Sequence, residues 1–397
     1  DPFEHPDAQR RFRVMKNVDE LERALEYPWE KWTIFLHPAQ RQWVEKEYSG
    51  PARVSGSAGT GKTIVALHRA VFLARNHPDA RVLLTTFSDA LANSLRIKLR
   101  RLISNEPRIG ERLEVHAINE IGHRLYELHF GHVNIATREA IQRFLSEAAE
   151  EVEGNKFTQR FLETEWEEVV DAWQLNAWQA YRDVKRLGRK TRLPEQQRVV
   201  LWSIFDRVRS RLDEGGLLTY ARLFDQLSTQ LAERKHPPFH FAVIDEAQDV
   251  SVSQLRFLAA LGGQRPNSLF FSGDLGQRIF QQPFSWKSLG VNIRGRSRTL
   301  QINYRTSHQI RMQADRLLGP ELSDVDGNTE ERRGTISVFK GPTPSIVTLG
   351  SIEEENKAVG EGLSNRATDG VLPHEVGVFV RSVKISDRAR DAVEKAG

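Results

Sequence analysis

One short stretch of the sequence carries residue types that suit the binding of a phosphate group. It fits the pattern G-x-x-x-x-G-K-[ST], as Gly56-Ser57-Ala58-Gly59-Thr60-Gly61-Lys62-Thr63. Glycines let backbone N–H groups converge on phosphate oxygens, and the N-terminus of a following helix adds partial positive charge. In such a loop Lys62 reaches the β- and γ-phosphates of a nucleotide and Thr63 holds Mg²⁺. A glycine-rich strand-to-helix turn without a ligand is the alternative interpretation.

A second stretch closes an apolar run with a cluster of carboxylates, as Val243-Ile244-Asp245-Glu246-Ala247-Gln248-Asp249. Taken alone, this stretch could be a solvated strand end. Beside a phosphate loop it predicts the second part of a nucleotide site. Asp245 would then hold Mg²⁺ through its water shell, and Glu246 would polarise the attacking water.

Strands that alternate with helices are expected to position both stretches. From residue 50 onward, apolar runs bounded by glycine are followed by amphipathic stretches, a pattern that indicates an α/β fold with a parallel sheet. The expected strands are 52–55, 81–86, 239–245, 268–273 and 298–302. The expected helix after the phosphate loop covers 64–75.

The domain organisation follows from a long helical interruption of this α/β pattern. We expect a helical insertion over 91–236, which carries Trp166, Trp173, Trp178 and Trp202 as core residues. This insertion separates the first ATPase lobe into two segments of the chain, 31–90 and 237–298. A partial second α/β lobe is expected over 299–397, with apolar runs at 335–339, 345–349 and 375–380 and a helix at 386–395. Residues 1–30 give no indication of a role, and the lack of an initial Met is consistent with a start inside a longer protein.

Composition excludes several classes of protein. The 397 residues, 39% hydrophobic and 28% charged, predict a soluble globular protein of two to three domains. No apolar run approaches the ~18 residues of a membrane span, so no membrane partner is expected. The sequence contains no cysteine, which excludes disulfides and thiolate metal sites and favours the cytoplasm.

Nucleic-acid contacts are indicated by charge distribution and by aromatic residues rather than by the net charge of +4. Bases cluster in the predicted insertion and could track phosphates, or could form a solvated surface: Arg182, Lys185, Arg186, Arg189, Lys190, Arg192 and Arg198. Four aromatic side chains could stack on bases or pack in the core: Phe87, Phe280, Phe284 and Trp286. His129 and His132 are spaced like a metal pair, but no third ligand is evident.

The order of the motifs resembles that of the UvrD/Rep family of superfamily 1 helicases. Leu36-His37-Pro38-Ala39-Gln40-Arg41 resembles the adenine-reading segment of that family. Thr86-Phe87-Ser88-Asp89-Ala90-Leu91-Ala92 resembles motif Ia, and Val115-His116-Ala117 resembles motif Ib. Asp245-Glu246-Ala247-Gln248-Asp249 resembles motif II. Gly273-Asp274-Leu275-Gly276-Gln277-Arg278-Ile279-Phe280 resembles motif III, and Asn303-Tyr304-Arg305 resembles motif IV.

This resemblance implies a RecA-like P-loop NTPase lobe with a helical insertion and a partial second RecA-like lobe. It also implies an ATP- and Mg²⁺-dependent motor that moves 3′ to 5′ on single-stranded DNA or at a junction with duplex. By the same resemblance Gln40 hydrogen-bonds the base, Tyr304 stacks on adenine, Gln277 senses the γ-phosphate and Arg305 is an arginine finger. The candidate DNA contacts are Phe87, His116, Arg189, Lys190, Arg192, Phe280 and Trp286.

The sequence departs from the family pattern at several points. Ile64 stands where many relatives carry arginine, and Gln282 stands where many carry tryptophan. Motifs V and VI and a nuclease motif are not found in the chain. A nucleic-acid-binding clamp or regulatory module without unwinding, and an RNA-directed motor, remain alternatives. The sequence does not predict protein partners.

Overall fold

The computed structural model describes residues 36–104, 106–186, 193–278, 282–319 and 321–394. The segment 1–30 lies outside these ranges. The strands are β1 (Ala52–Ser55), β2 (Val82–Thr86), β3 (Leu113–Ala117), β4 (Asn134–Ile135), β5 (Leu217–Leu218), β6 (Phe241–Ile244), β7 (Leu269–Gly273), β8 (Ser297–Thr299), β9 (Ile302–Asn303), β10 (Glu321–Ser323), β11 (Thr329–Glu331) and β12 (Ile336–Ser337).

The helices begin beside the expected base-reading segment and alternate with these strands. They are α1 (Pro38–Glu45), α2 (Lys62–Asn76), α3 (Asp89–Leu102), α4 (Pro107–Gly110), α5 (Ile118–Phe130), α6 (Arg138–Glu151), α7 (Gln159–Glu165), α8 (Trp178–Asp183), α9 (Glu195–Glu214), α10 (Tyr220–Ala232), α11 (Val252–Gly262), α12 (His308–Asp315), α13 (Ile352–Thr368) and α14 (Ser386–Glu394). A π-helical turn, Trp166–Val170, continues α7. Across the described ranges, no helix combines the length and the apolar character that a bilayer crossing requires.

A parallel sheet lies at the centre of the described residues, with six strands in the order β3-β2-β6-β7-β1-β8. Strands β1, β2 and β7 are buried at every position, as is typical of a parallel sheet covered on both faces. The strands predicted at 52–55, 81–86, 239–245 and 268–273 are confirmed. The run predicted at 298–302 is divided between β8 and β9. The protein is therefore an α/β protein with a parallel central sheet.

The sheet order places the candidate site. Strands β6, β7 and β1 are neighbours, and each is paired in parallel with the next. Their carboxyl ends therefore meet at one edge of the sheet, where ligands of open α/β sheets bind. The phosphate loop follows β1, Asp245 follows β6 and Asp274 follows β7.

Hydrophobic cores cover both faces of the sheet, and a third core lies among the helices between β4 and β5. One cluster on the sheet includes Leu67 and Leu73 of α2, and the other includes Phe224 of α10 and Phe257 of α11. The third cluster extends from Leu145 to Leu212 and contains Trp166, Tyr181 and Phe205. Of the tryptophans expected in the core, Trp166 is fully buried, Trp178 and Trp202 are partly buried in the third cluster, and Trp173 packs on the sheet cluster.

The stretch predicted as the helical insertion, 91–236, also contributes to the main sheet and its core. Strand β3 lies within 91–236 but forms an edge of the main sheet, and α5 and α10 contribute to the core beneath that sheet. The helices with their own core occupy the shorter stretch between β4 and β5, which pair with each other in parallel. This pairing closes the base of the helical segment.

The last part of the chain contains the division between two compact units, 1–341 and 342–397, and the lobe boundary predicted at 298 stays a prediction. Strand β9 pairs in parallel with β12, and β10 pairs antiparallel with β11, within the first compact unit of 1–341. The second unit, 342–397, contains α13 and α14, joined by an ion pair of 2.9 Å between Arg388 and Glu355. Helix α14 confirms the helix predicted at 386–395 over its described part. The runs at 345–349 and 375–380 are not strands, whereas the run at 335–339 contains β12.

Candidate functional site

The phosphate loop between β1 and α2 depends on glycine for its shape. Gly59 and Gly61 have φ values of 88° and 82°, in the left-handed region that favours glycine. A Cβ at Gly59 would collide with the side-chain oxygen of Asn303, and a Cβ at Gly61 would collide with the amide nitrogen of Gln40. The loop can therefore form only where both positions lack a side chain.

Polar groups of the loop are buried at the start of α2. No side chain caps this helix at Gly61, so its N-terminal turn presents backbone N–H groups at the loop. Lys62 is buried, and its Nζ donates to the carbonyls of Gly56 (2.8 Å) and Ser57 (3.1 Å). Thr60 is buried and donates from Oγ1 to Ser57 O at 2.9 Å. The ammonium group of Lys62 thus lies inside the curve of the loop.

Asp245 and Thr63, the predicted metal ligands, contact each other. Asp245 follows β6 and is buried, and its Oδ1 accepts a hydrogen bond from Ser272 Oγ at 2.6 Å. Burial raises the pKa of the Asp245 carboxyl, and the charge of Glu246 adds to this shift. The hydrogen bond from Thr63 and the positive charge of Lys62 act in the opposite direction. The carboxylate is therefore placed where a cation would favour its ionised form.

Glu246, the predicted catalytic carboxylate, has an unusual backbone conformation. Its φ of 54° lies in the left-handed region, which is costly for a residue with a side chain. Its Oε2 accepts a hydrogen bond from Gln248 Nε2 at 2.7 Å. Gln248 Oε1 in turn accepts from the backbone N–H of Asp274 at 3.0 Å. Gln248 was given no role from the sequence, yet it joins the carboxylate of Glu246 to the loop after β7.

Asp249, the last carboxylate of this stretch, is also perturbed. Burial, followed by the nearby charge of Glu246, raises the pKa of Asp249 to about 6. Asp245 and Asp249, two carboxylates whose pKa values are both raised, therefore lie four residues apart on either side of Glu246.

The predicted base-reading residues lie on the other side of the phosphate loop. The amide of Gln40 is held at both ends, because Nε2 donates to Thr60 O (2.9 Å) and Oε1 accepts from His37 N (3.0 Å). Gln40 and Tyr304 line a cavity of about 180 Å³ together with Trp43 and Leu300. The ring centroids of Tyr304 and His37 are 5.2 Å apart, and burial raises the pKa of the Tyr304 phenol.

Asn303 connects this cavity to the phosphate loop, a role that the sequence did not indicate. It is fully buried, and its Nδ2 donates to Ala58 O at 2.8 Å. Its Oδ1 accepts from the backbone N–H groups of Arg305 (3.0 Å) and Thr306 (2.9 Å), and Tyr304 N donates to Gly59 O at 2.9 Å. The predicted arginine finger, Arg305, therefore begins beside the phosphate loop, and its side chain is exposed.

Gln277, the predicted γ-phosphate sensor, lies in a short 3₁₀ turn after β7. Its Nε2 donates to Asp274 Oδ2 at 2.9 Å. Asp274 is buried and also accepts the backbone N–H of Gly276 at 2.8 Å. The turn is thus built around a single carboxylate.

The predicted DNA contacts have different outcomes. Phe87 is 43% exposed at the end of β2 and lines a cleft with Asp245 and Glu246, so it stays a prediction. Trp286 is buried with its ring 4.8 Å from that of Phe271, and a base contact at Trp286 stays a prediction. Both Trp286 and the buried Phe284 pack in the hydrophobic core.

His116 is held between two carboxylates on the edge strand β3. Its ring nitrogens lie 3.3 Å from Glu114 and 3.1 Å from Glu120, and the hydrogen bond with Glu114 raises the pKa of His116. A DNA contact at His116 stays a prediction.

The central bases of the cluster at 182–198 and one aromatic candidate lie outside the described residues: Arg189, Lys190, Arg192 and Phe280. Three flanking bases bond within the protein. Arg182 pairs with Asp183, Arg186 pairs with the fully buried Glu165, and Arg198 donates to Tyr181 O at 2.9 Å.

Comparison with known proteins is consistent with this arrangement of motifs. Residues 36–285 match the family model of the UvrD/REP helicase N-terminal domain. Over 382 residues the chain is 25% identical to proteins named "ATP-dependent DNA helicase UvrD2" from Mycobacterium bovis and Mycobacterium tuberculosis. The match covers 88% of this chain and 52% of each of those proteins, so the chain spans about half the length of the curated relatives it matches.

The family match covers more than half of the chain and includes the phosphate loop, the carboxylates after β6 and the turn after β7. A RecA-like α/β fold follows from this family and agrees with the parallel central sheet. The chain belongs to the UvrD/REP helicase family.

Proposed function

We propose that this chain is the ATP-hydrolysing part of a DNA helicase or translocase that acts on single-stranded DNA or at a junction with duplex, in the 3′ to 5′ direction. One observation carries the proposal. Residues from four distant stretches converge: Lys62, Asp245 and Gln277 follow three neighbouring strands of one sheet, and Asn303 is bonded to the phosphate loop. Such a convergence suits phosphoryl transfer, in which catalysis consists of positioning and charge stabilisation.

The residues at this edge fit ATP and Mg²⁺. Ser57 Oγ and Tyr304 Oη are buried and find no hydrogen-bond partner within the described ranges, so the site has polar atoms to offer a ligand. The backbone of residues 56–61, with Lys62 and Thr63, would hold the phosphates, and Gln40 and Tyr304 would hold the base. Thr63 and Asp245 would hold Mg²⁺, which prefers one or two carboxylates together with phosphate oxygens. When bound, Mg²⁺ neutralises charge on the phosphates.

The chain's own residues divide the remaining work. Gln248 holds Oε2 of Glu246, which fixes the carboxylate that would take the proton of the attacking water. Asp274 holds the amide of Gln277, which would contact the γ-phosphate. Arg305 would add positive charge as the transition state forms.

Replacement of Glu246 by Gln tests the catalytic base. The amide keeps the shape and can still accept from Gln248, but it cannot take a proton. We expect ATP affinity within about threefold of wild type, because no phosphate or base contact is lost, and turnover lower by ~10²-fold or more. Fluorescent-nucleotide binding and phosphate-release assays measure the two effects separately.

Asp249→Asn is the matched control for this experiment, because it neutralises the adjacent perturbed carboxylate. We expect it to retain most of the turnover. If turnover is lost in Asp249→Asn and kept in Glu246→Gln, the water is positioned by Asp249 and the assignment of Glu246 is wrong.

The basic cluster provides the test of nucleic-acid binding. Replacement of Arg189, Lys190 and Arg192 by alanine should weaken binding to single-stranded DNA and flatten its salt dependence. Each phosphate contact that is lost removes about 0.7 from the slope of log K against log salt concentration. Titrations of a labelled oligonucleotide at several salt concentrations measure this slope, and ATP affinity should be unchanged.

A matched control removes the same number of charges elsewhere in the helical segment. Arg138, Arg143 and Arg207 are exposed and lie 3.4 to 3.9 Å from glutamates, so they are already neutralised in part. Their replacement by alanine should leave the salt slope unchanged. If both triple variants and wild type have the same slope of log K against log salt concentration, the basic cluster is a solvated surface that does not contact DNA.

Strand displacement and competition experiments on the full-length protein separate the proposed motor from its alternatives. We expect unwinding of a duplex with a 3′ single-stranded tail and stronger competition for ATPase stimulation by DNA than by RNA. ATPase activity without displacement would favour a clamp or regulatory module.

A further inference from the structure

A β-hairpin packs against the turn that carries Gln277. The hairpin consists of β10 and β11, and Arg332 follows it directly. Glu330 and Arg332 are both buried, with 0% and 8% of their surface exposed. Arg332 Nη1 donates to Asp274 Oδ1 at 3.1 Å, and Glu330 Oε2 accepts the backbone N–H of Leu275 at 3.3 Å. Two successive residues of the turn are therefore bonded to the end of the hairpin.

Gly276, the next residue of the turn, supports the same contact. A Cβ at Gly276 would lie 2.8 Å from Arg332 Nη1 and 2.8 Å from Leu318. Such separations are too short for a carbon atom, so a side chain at this position would displace the guanidinium or Leu318.

The two carboxylate oxygens of Asp274 bond to different partners, one at the end of the hairpin and one on Gln277. Oδ1 accepts from Arg332 and from Gly276 N, whereas Oδ2 accepts from Gln277 Nε2 at 2.9 Å. Because a carboxylate is planar and rigid, fixing Oδ1 also fixes the direction of Oδ2. The orientation of the Gln277 amide therefore depends on Arg332 through one shared group.

Arg332 is suited to this task by its charge and by the shape of its side chain. Its nitrogens lie 3.1 Å from Asp274, 3.4 Å from Asp315 and 3.6 Å from Glu330. Burial, followed by the charge of Asp274, raises the pKa of Glu330. A planar guanidinium can face several carboxylates at once, whereas an ammonium group acts as a single point charge.

We propose that Arg332 is a positioning residue for ATP hydrolysis, which holds Asp274 and thereby the amide of Gln277 in the orientation that meets the γ-phosphate. This inference rests on the proposed function. It adds to the motifs a buried arginine that lies 55 residues beyond Gln277 and whose ion pairs, within the described residues, are with Asp274, Asp315 and Glu330.

A double-mutant cycle in the full-length protein tests the inference. Arg332→Ala should lower kcat for DNA-stimulated ATP hydrolysis by ~10-fold or more, because a misplacement of about 1 Å costs up to ~10² in rate. KM for ATP should change less than about twofold. In the background of Gln277→Ala, the second substitution should have no further effect on kcat, because the group that Arg332 positions is gone. Multiplicative losses would overturn the inference.

Control variants separate positioning from folding. Asp326→Ala removes the bonds of the hairpin turn to Ser285 and to Lys287 N (2.9 Å) without touching Asp274, so kcat should stay near wild type. An equal loss of kcat in this variant would show that hairpin docking in general is what matters, and would overturn the inference. Arg332→Lys keeps the positive charge but lacks the planar set of donors of the guanidinium. Its kcat should lie between that of Arg332→Ala and that of wild type.

Thermal unfolding followed by circular dichroism shows whether Arg332→Ala folds; if it does not, the cycle is measured with Arg332→Lys and the same criterion. Wild-type protein that hydrolyses no ATP would contradict the proposed function itself. Wild-type hydrolysis with independent effects of the two substitutions would contradict this inference alone.

Discussion

Lys62→Ala should abolish ATP hydrolysis while leaving the fold intact. The ammonium group lies inside the curve of the phosphate loop, where its bonds go to loop carbonyls rather than to the hydrophobic core. Its removal takes a fixed positive charge from a site that works by electrostatic stabilisation, and we expect turnover to fall by ~10²-fold or more. Phosphate release measures turnover, and thermal unfolding should show a transition close to that of wild type.

Lys98→Ala is a suitable control for this experiment, since Lys98 lies on α3 and not at the phosphate loop. It should hydrolyse ATP at the wild-type rate. Near wild-type turnover in Lys62→Ala would refute the assignment of the nucleotide site.

Arg305→Ala should reduce DNA-stimulated hydrolysis in the full-length protein by ~10³-fold or more, which corresponds to ~4 kcal/mol of transition-state stabilisation. Its backbone is tied to Asn303, and Asn303 is tied to Ala58, so the side chain begins next to the phosphate loop. ATP binding should change little, because the arginine is expected to act mainly on the charge that develops during phosphoryl transfer. Steady-state kinetics with saturating single-stranded DNA provide the measurement.

Arg316→Ala removes an exposed arginine just beyond α12 and should have no such effect. A comparable loss in both variants would indicate a general effect of charge. Unchanged hydrolysis in Arg305→Ala would exclude it as the arginine finger.

The sequence predicted the inner strands well because a strand buried on both faces is a continuous apolar run. Strand β3 was missed for the corresponding reason. It is an edge strand in which Leu113, Val115 and Ala117 are buried and alternate with Glu114 and His116, so no apolar run marks it. The segment predicted as helical from the sequence therefore includes this strand. The runs at 345–349 and 375–380 are apolar but pair with no strand in the described residues, and Phe379 is 95% exposed.

The candidate site shows a similar division. Lys62, Thr63 and Asp245 were predicted because each belongs to a motif that can be recognised from a few neighbouring residues. Asn303 and Arg332 were not given roles, because their partners lie 245 and 58 residues away in the chain. Contacts at such separations depend on the strand order of the sheet, which the amino-acid pattern of either segment does not reveal. The burial of Trp286 could not be predicted, because an aromatic residue near a motif has the same appearance in the sequence whether it stacks on a base or packs in the core.

The two glycines of the phosphate loop have an evolutionary consequence. The space that a side chain would need at Gly59 is filled by Asn303, and the space at Gly61 is filled by Gln40. Each glycine is therefore matched to an amide that lies on a distant segment and that also bonds to the loop backbone. The positive φ values hold glycine at both positions whatever faces them, so the loop cannot change to fit a larger neighbour. We expect substitutions at positions 303 and 40 to keep the size and the hydrogen bonds of the present amides, so that the inheritance of the loop is bound to that of the segments around it.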